Sequence, residues 1–198
     1  MKTHNIQFEL NGGKVALIVE PGDVLLDMLR GKLGIKSPKV GCDRGDCGAC
    51  TILMNGKTVR SCLVLAVEAD GAEIVTLEGA NSRKWTRKLQ KKFHEKNAFQ
   101  CGFCAPGVIL SATELLEKNS KPTVYEIKKA IAGNLCRCTG YTQIVQAVEL
   151  VIADRSDTVS DEDRARLAEA PAHVHVHHID AGHWLHIAAQ AAVVALFV

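Results

Sequence analysis

Aromatic side chains are scarce in this sequence, 5% of 198 residues, so its packing must rest on Val, Ile, Leu and Ala, the usual filling of helical modules and small sheets. Strong charge of either sign is missing too. With 24 Lys and Arg against 22 Asp and Glu the formal charge is +2, and neither half is strongly basic, which removes the electrostatic case for a nucleic-acid partner. Met1 to Leu10 alternates polar and apolar residues and lacks the roughly 7–15-residue apolar core of a secretory signal. The apolar stretch Ile187 to Val198 falls short of the roughly 20 residues that span a bilayer. The expectation is a cytoplasmic chain without a membrane span.

Against these absences stand a hydrophobic content of 47%, that of a globular protein, and eight cysteines. A reducing cytosol disfavours structural disulfides, so clustered cysteines there are metal ligands or redox groups. Their spacing has to decide which.

The pattern divides the chain in three. Ile6, Phe8 and Leu10 alternate, Asn11-Gly12-Gly13 turns, and Val15, Leu17 and Val19 resume the alternation, which predicts a hairpin. Asp23 is placed to cap a helix with the stripe Leu25/Leu26, Leu29 and Leu33, ending near Gly34. A glycine- and cysteine-rich loop runs from Val40 to Ala49, then short strands at Thr51 to Met54 and Thr58 to Arg60 flank a turn at Asn55-Gly56, and a last strand runs from Glu73 to Leu77. The first boundary falls within Glu78 to Ser82. Four helices follow: one lined by Trp85, Leu89 and Phe93, one begun by Pro106 and lined by Val108 and Leu115, one opened by the capping box Thr123-x-x-Glu126, and one carrying Ile144, Val148, Val151 and Ile152. Short connections between them predict a compact bundle. After Arg155 the composition changes: the tail has no Lys or Cys and holds six of the eight His.

Cys42, Cys47 and Cys50, with Cys62 after a strand hairpin, have the loop spacing of plant-type [2Fe–2S] ferredoxins. The glycines among them let the backbone wrap closely and turn its amide N–H groups toward sulfur. The second set, Cys101-x-x-Cys104 and Cys136-x-Cys138, places each pair just before a predicted helix. Two helix N-termini are expected to stabilise a negative all-thiolate centre and to lower the thiol pKa values. Zinc is the alternative for each set. Its common arrangement is two compact pairs, whereas Cys42, Cys47 and Cys50 put three ligands in one loop.

Three segments carry a resemblance that covers roughly Ile6 to Asp154: Gly41-Cys42-Asp43-Arg44-Gly45-Asp46-Cys47-Gly48-Ala49-Cys50-Thr51, Gln100-Cys101-Gly102-Phe103-Cys104-Ala105-Pro106-Gly107, and Gly133-Asn134-Leu135-Cys136-Arg137-Cys138-Thr139-Gly140-Tyr141. In that order they resemble the small iron–sulfur subunit of the xanthine dehydrogenase/aldehyde oxidoreductase family of molybdenum hydroxylases. Ala105 stands where many relatives have threonine. The resemblance implies an α+β chain: a plant-type ferredoxin-like β-grasp domain over residues 1–79, a four-helix [2Fe–2S] domain over 80–155, and a His- and Ala-rich extension over 156–198. It implies two [2Fe–2S] clusters, one on Cys42, Cys47, Cys50 and Cys62 and one on Cys101, Cys104, Cys136 and Cys138. Gln100 and Cys138 would lie against molybdopterin. The molybdenum, the molybdopterin cytosine dinucleotide and the substrate site would belong to a large partner subunit, and FAD to a medium one. Electrons would run from molybdenum through the second cluster and the first to FAD or another acceptor. The rival from another class is a free-standing electron shuttle, which would need only the first domain.

Other features have blander readings. Arg83, Lys84, Arg87, Lys88, Lys91 and Lys92 are read as the solvated face of a helix and not as a dock for an acidic partner. In the tail, His173, His175 and His177 would share one face of a strand, read as an adventitious chelate. Val174 to His186 resembles the C-terminal segment of α/β-hydrolases that presents a triad histidine, yet the chain has no Gly-x-Ser-x-Gly elbow, so no such triad can assemble.

Overall fold

The alternation and turn residues of the first 77 positions resolve into one mixed sheet, seen in a computed structural model that describes residues 2–153. Its strands are β1 (His4–Leu10), β2 (Gly13–Val19), β3 (Thr51–Met54), β4 (Lys57–Arg60) and β5 (Glu73–Val75), in the spatial order β2-β1-β5-β3-β4. β1 and β5 are parallel and every other pairing is antiparallel. Both tight hairpins need two consecutive residues in the left-handed region. Asn11 and Gly12 supply φ of 54° and 85°, and Asn55 and Gly56 supply 52° and 76°.

One face of the sheet is covered by α1 (Leu25–Asp27), which widens into a π-helical stretch over Met28–Lys32. Ile6, Phe8, Leu25, Met28, Leu29, Ile52 and Ile74 form the core between them. The expected Asp23 cap does not form. The capping position is Val24, without a side-chain bond, and the Asp23 carboxylate instead accepts from the Glu20 N–H at 3.1 Å and from Lys32 Nζ at 2.9 Å. Asp23 therefore ties the strand end to the far end of the helix. The last strand stops at Val75, two residues before the expected Leu77.

Four further helices follow: α2 (Lys84–Glu95), α3 (Ala105–Lys118), α4 (Val124–Ile131) and α5 (Thr142–Ala153). Pro106 sits in the first turn of α3, where its missing N–H is harmless. At α4 the Thr123 hydroxyl accepts from the Glu126 N–H at 3.3 Å, and the Glu126 carboxylate accepts from the Thr123 N–H at 2.7 Å. Trp85, Leu89, Phe93, Val108, Ala112, Ile127, Ile144 and Val148 share one apolar core. Arg83 pairs with Glu117 at 2.9 Å, and Lys92, only 5% exposed, pairs with Glu95 at 3.0 Å. Lys92 is thus not part of a solvated face: its side chain is buried and its amine reaches a carboxylate.

The sheet and the helices share surface. α3 lies on β3 and β4, and Leu110 is buried with Leu53, Val75 and Ala80. The overall class is α+β. Among the described residues no helix is long and apolar enough to cross a membrane. The tail features, His173, His175 and His177, the hydrolase-like stretch and the apolar end, lie outside the described residues.

Candidate functional site

The loop between α1 and β3 folds around its own thiols. Asp43, Gly45 and Gly48 all take left-handed φ, at 56°, 85° and 70°, and this curls the amides inward as a nest does. The Cys47 N–H donates to Cys42 Sγ at 3.4 Å. Amides of Arg44, Cys47 and Asp46 hold the Cys42 thiol at about 7, below its usual 9.0. Glycine is required by space as well as by angle: a Cβ on Gly41 would meet Cys47 Sγ at 2.7 Å, and one on Gly45 would meet Leu63 at 2.4 Å. A single turn at Ser61–Leu63 brings Cys62 up from β4, and Ser61 Oγ fastens that turn to the Cys50 carbonyl at 2.8 Å. Cys50 and Cys62 Sγ are 3.3 Å apart. Burial, helped by the neighbouring Cys50, pushes the Cys62 thiol up to about 11.

The second set is assembled from two loops of the helical half. Cys104 is the capping residue of α3, and the Cys136 to Tyr141 loop leads into α5. Cys138 and Cys101 Sγ lie 3.6 Å apart, and the Cys104 and Cys136 thiols are near enough to shift one another's pKa. The helix-terminus expectation is only half met. The Phe103 amide lowers the Cys101 thiol. At Cys136, burial acts upward and hydrogen bonds from Thr139 outweigh it, for a net lowering. Cys104, however, is pushed up to about 12, because burial in the helical core and the neighbouring Cys136 thiol outweigh the start of α3, and its bond to Cys101 raises Cys138. In both sets amides or hydroxyls lower one thiol while burial or a neighbouring thiol raises another.

Two thiolates on one tetrahedral metal with bonds of about 2.3 Å lie about 3.8 Å apart. The close contacts of 3.3 Å and 3.6 Å are near that edge. Among the described residues the thiols approach one another in pairs, not as three ligands around a single ion. All-sulfur donors in pairs, amides aimed at sulfur and a cradle that a Cβ would fill suit a group with two metals, as a binuclear iron–sulfur cluster is. Cys50 is brought to Cys62 and Cys101 to Cys138. Gln100 donates from Nε2 to the Cys138 carbonyl at 3.0 Å, and Cys101 and Cys138 are exposed.

Sequence reasoning missed what joins the two sets. Asn134, 1% exposed, donates from Nδ2 to the Gly48 carbonyl and to Thr51 Oγ1, both at 3.0 Å, and its Oδ1 accepts from Ser111 Oγ at 2.7 Å. Arg60 reaches Thr51 Oγ1 at 2.8 Å and the Gly133 carbonyl at 2.7 Å. The Leu135 N–H donates to the Cys47 carbonyl at 2.8 Å. Tyr141 Oη accepts from the Cys136 N–H at 2.9 Å and donates to the Asn134 carbonyl at 3.1 Å. Asn134 stands inside a segment already singled out for its cysteines, but its partners are distant in sequence and no local signal marks it.

Residues 8–77 match the family model described as a 2Fe-2S iron-sulfur cluster binding domain, and residues 76–149 match that described as a [2Fe-2S] binding domain. Fold, thiols and matches define the class: an electron-transfer protein with two [2Fe–2S]-binding domains. The chain is 47% identical over 152 residues to the nicotinate dehydrogenase small FeS subunit of Eubacterium barkeri, covering 77% of this chain and 97% of that one. It is 45% identical over 149 residues to the xanthine dehydrogenase iron-sulfur-binding subunit of Escherichia coli O157:H7, with coverages of 74% and 93%. Among solved structures, quinoline 2-oxidoreductase from Pseudomonas putida 86 superposes with a TM-score of 0.72 at 40% identity over 77% of this chain and 94% of that chain. The chain belongs to the xanthine dehydrogenase/aldehyde oxidoreductase family, as one of its small iron–sulfur subunits.

Proposed function

We propose that Cys42, Cys47, Cys50 and Cys62 hold one [2Fe–2S] cluster and Cys101, Cys104, Cys136 and Cys138 the other. The chain then relays electrons from a molybdenum site on a large partner subunit to FAD on a medium subunit or to another acceptor. When bound, the clusters supply one-electron redox capacity. This chain's residues hold that capacity in place, line it with amide donors and exclude water from part of it. The observation that carries the reading is the pairing of thiols, with Cys50 and Cys62 buried and Cys101 and Cys138 exposed.

The exposed pair supports a relay that starts at the helical site. Phe99, Phe103 and Leu135 stand exposed in the segments that carry Cys101, Cys104 and Cys136, an apolar setting suited to a covering partner. Gln100, bonded to Cys138, is there to meet molybdopterin. A β-grasp unit over residues 1–79 and a four-helix unit over 80–155 fit the sheet and the helices, and an all-thiol site fits a reducing cytoplasm.

The test is metal analysis and electron paramagnetic resonance on the full chain isolated without oxygen. About four irons and two distinct reduced signals are expected for two binuclear clusters. Cys42→Ser should remove one signal and Cys104→Ser the other. Zinc without iron, or one substitution erasing both signals while the chain stays folded, would overturn the assignment. Co-purification with a molybdenum-containing subunit separates this reading from a free shuttle.

A further inference from the structure

The bridge between the two thiol sets has a geometry that simple adhesion between two halves does not require. Cys47 and Cys136, one thiol from each set, are connected by a short route through backbone: from Cys136 back one peptide to Leu135, across the 2.8 Å bond from the Leu135 N–H to the Cys47 carbonyl, and on to the Cys47 side chain. The geometry points to Asn134 as the positioning residue for electron passage between the sites, acting by holding that bond in register. This rests on the relay reading above. With both sites loaded, one electron would leave the site of Cys101, Cys104, Cys136 and Cys138, oxidising it, and would reduce the site of Cys42, Cys47, Cys50 and Cys62, with no bond broken and no proton moved.

Three observations single out Asn134. Its buried amide donates to Gly48 of the first loop and to Thr51 at the start of β3, and accepts from Ser111 of α3, so one side chain ties three segments together. The backbones there touch: a Cβ on Gly48 would fall 2.2 Å from the Gly133 carbonyl and 2.7 Å from Asn134 Nδ2, and one on Gly107 would fall 2.5 Å from the Gly48 carbonyl. Both glycines are therefore required by the closeness of the loops, and closeness is what electron passage needs. Finally, Arg60 and Tyr141 brace Gly133 and the Asn134 carbonyl on either side, next to the Leu135 N–H that meets Cys47. Asn134 touches no thiol in any of these contacts, so it acts through the loops.

The experiment compares the full chain loaded with iron and sulfide, unaltered and as Asn134→Ala, by iron count, by the separate paramagnetic signal of each reduced site, and by the magnetic splitting between the two sites when both are reduced. The rate of electron exchange between them is measured after rapid partial reduction. Asn134→Ala is expected to keep both separate signals, to change the splitting, and to slow exchange by about tenfold or more, as small misplacements of reacting groups do. A lowered melting temperature with splitting unchanged and exchange within about twofold would leave Asn134 merely structural and overturn the proposal, since loss of position must exceed that. If Asn134→Ala loses iron, Thr51→Val decides. It removes one of the two acceptors at nearly constant shape, and should move the splitting in the same direction; no movement overturns the proposal. An unaltered chain without two iron signals is a different outcome, and defeats the relay reading itself.

Discussion

Glu78 gathers the backbone ahead of the first thiol loop. Its carboxylate accepts from the Lys36 N–H at 2.9 Å, the Ser37 N–H at 2.7 Å, the Ser37 hydroxyl, and Thr76 Oγ1 at 2.7 Å. Burial pushes its pKa up, but these donors, Ser37 foremost, outweigh it and bring it to about 2 from 4.5. A folded-state value below the unfolded one means stability that is fully present above about 4.5 and lost as the pH falls toward 2. Glu78→Gln is expected to cost about 1–2 kcal/mol near neutrality, a figure held down by the group's partial exposure. Urea midpoints of the iron-free chain should show that gap at pH 7 (about neutral) and see it close in acid as both forms become uncharged. At this scale the thiols were legible, because ligand spacing is written along the chain. Asn134 was not. Its partners Gly48, Thr51 and Ser111 are 86, 83 and 23 positions away, and nothing local distinguishes a buried bridging amide from a loop asparagine.

Elements follow local rules where local chemistry decides them. Asn-Gly pairs made both hairpins readable, and Thr123-x-x-Glu126 fixed the start of α4, since each acts through neighbours. Thr123→Ala is expected to lower stability by about 1 kcal/mol, read as a shifted thermal midpoint with iron content unchanged, because that cap touches neither thiol set. Where tertiary contacts win, the reading failed. Asp23 abandoned the helix start for Lys32, nine positions on, and the helix it was to cap loosened into a π-helical turn at Met28–Lys32. The same competition explains the raised Cys104 thiol. A helix start favours thiolate, but its site in the apolar helical core favours the neutral form more strongly.

For the molecule as a whole, every bond described between the two thiol sets is made by residues before Ala153. Deleting residues after Arg155 should therefore leave the iron count and both paramagnetic signals unchanged; loss of either would show that the extension takes part. The α+β architecture was legible because its periodicities are strong in both halves. The manner in which the halves meet was not, since Leu110, Gly107 and Gly48 acquire their roles only once α3 lies on the sheet. That contact couples two units that differ in shelter: Cys50 and Cys62 are buried, whereas Cys101 and Cys138 face solvent. A newly made chain waiting for its companions is consequently better guarded at one end and more open to air at the other. Damage by oxidants should begin at the helical end, and on the proposed reading a subunit that covered it would double as protection for freshly inserted iron.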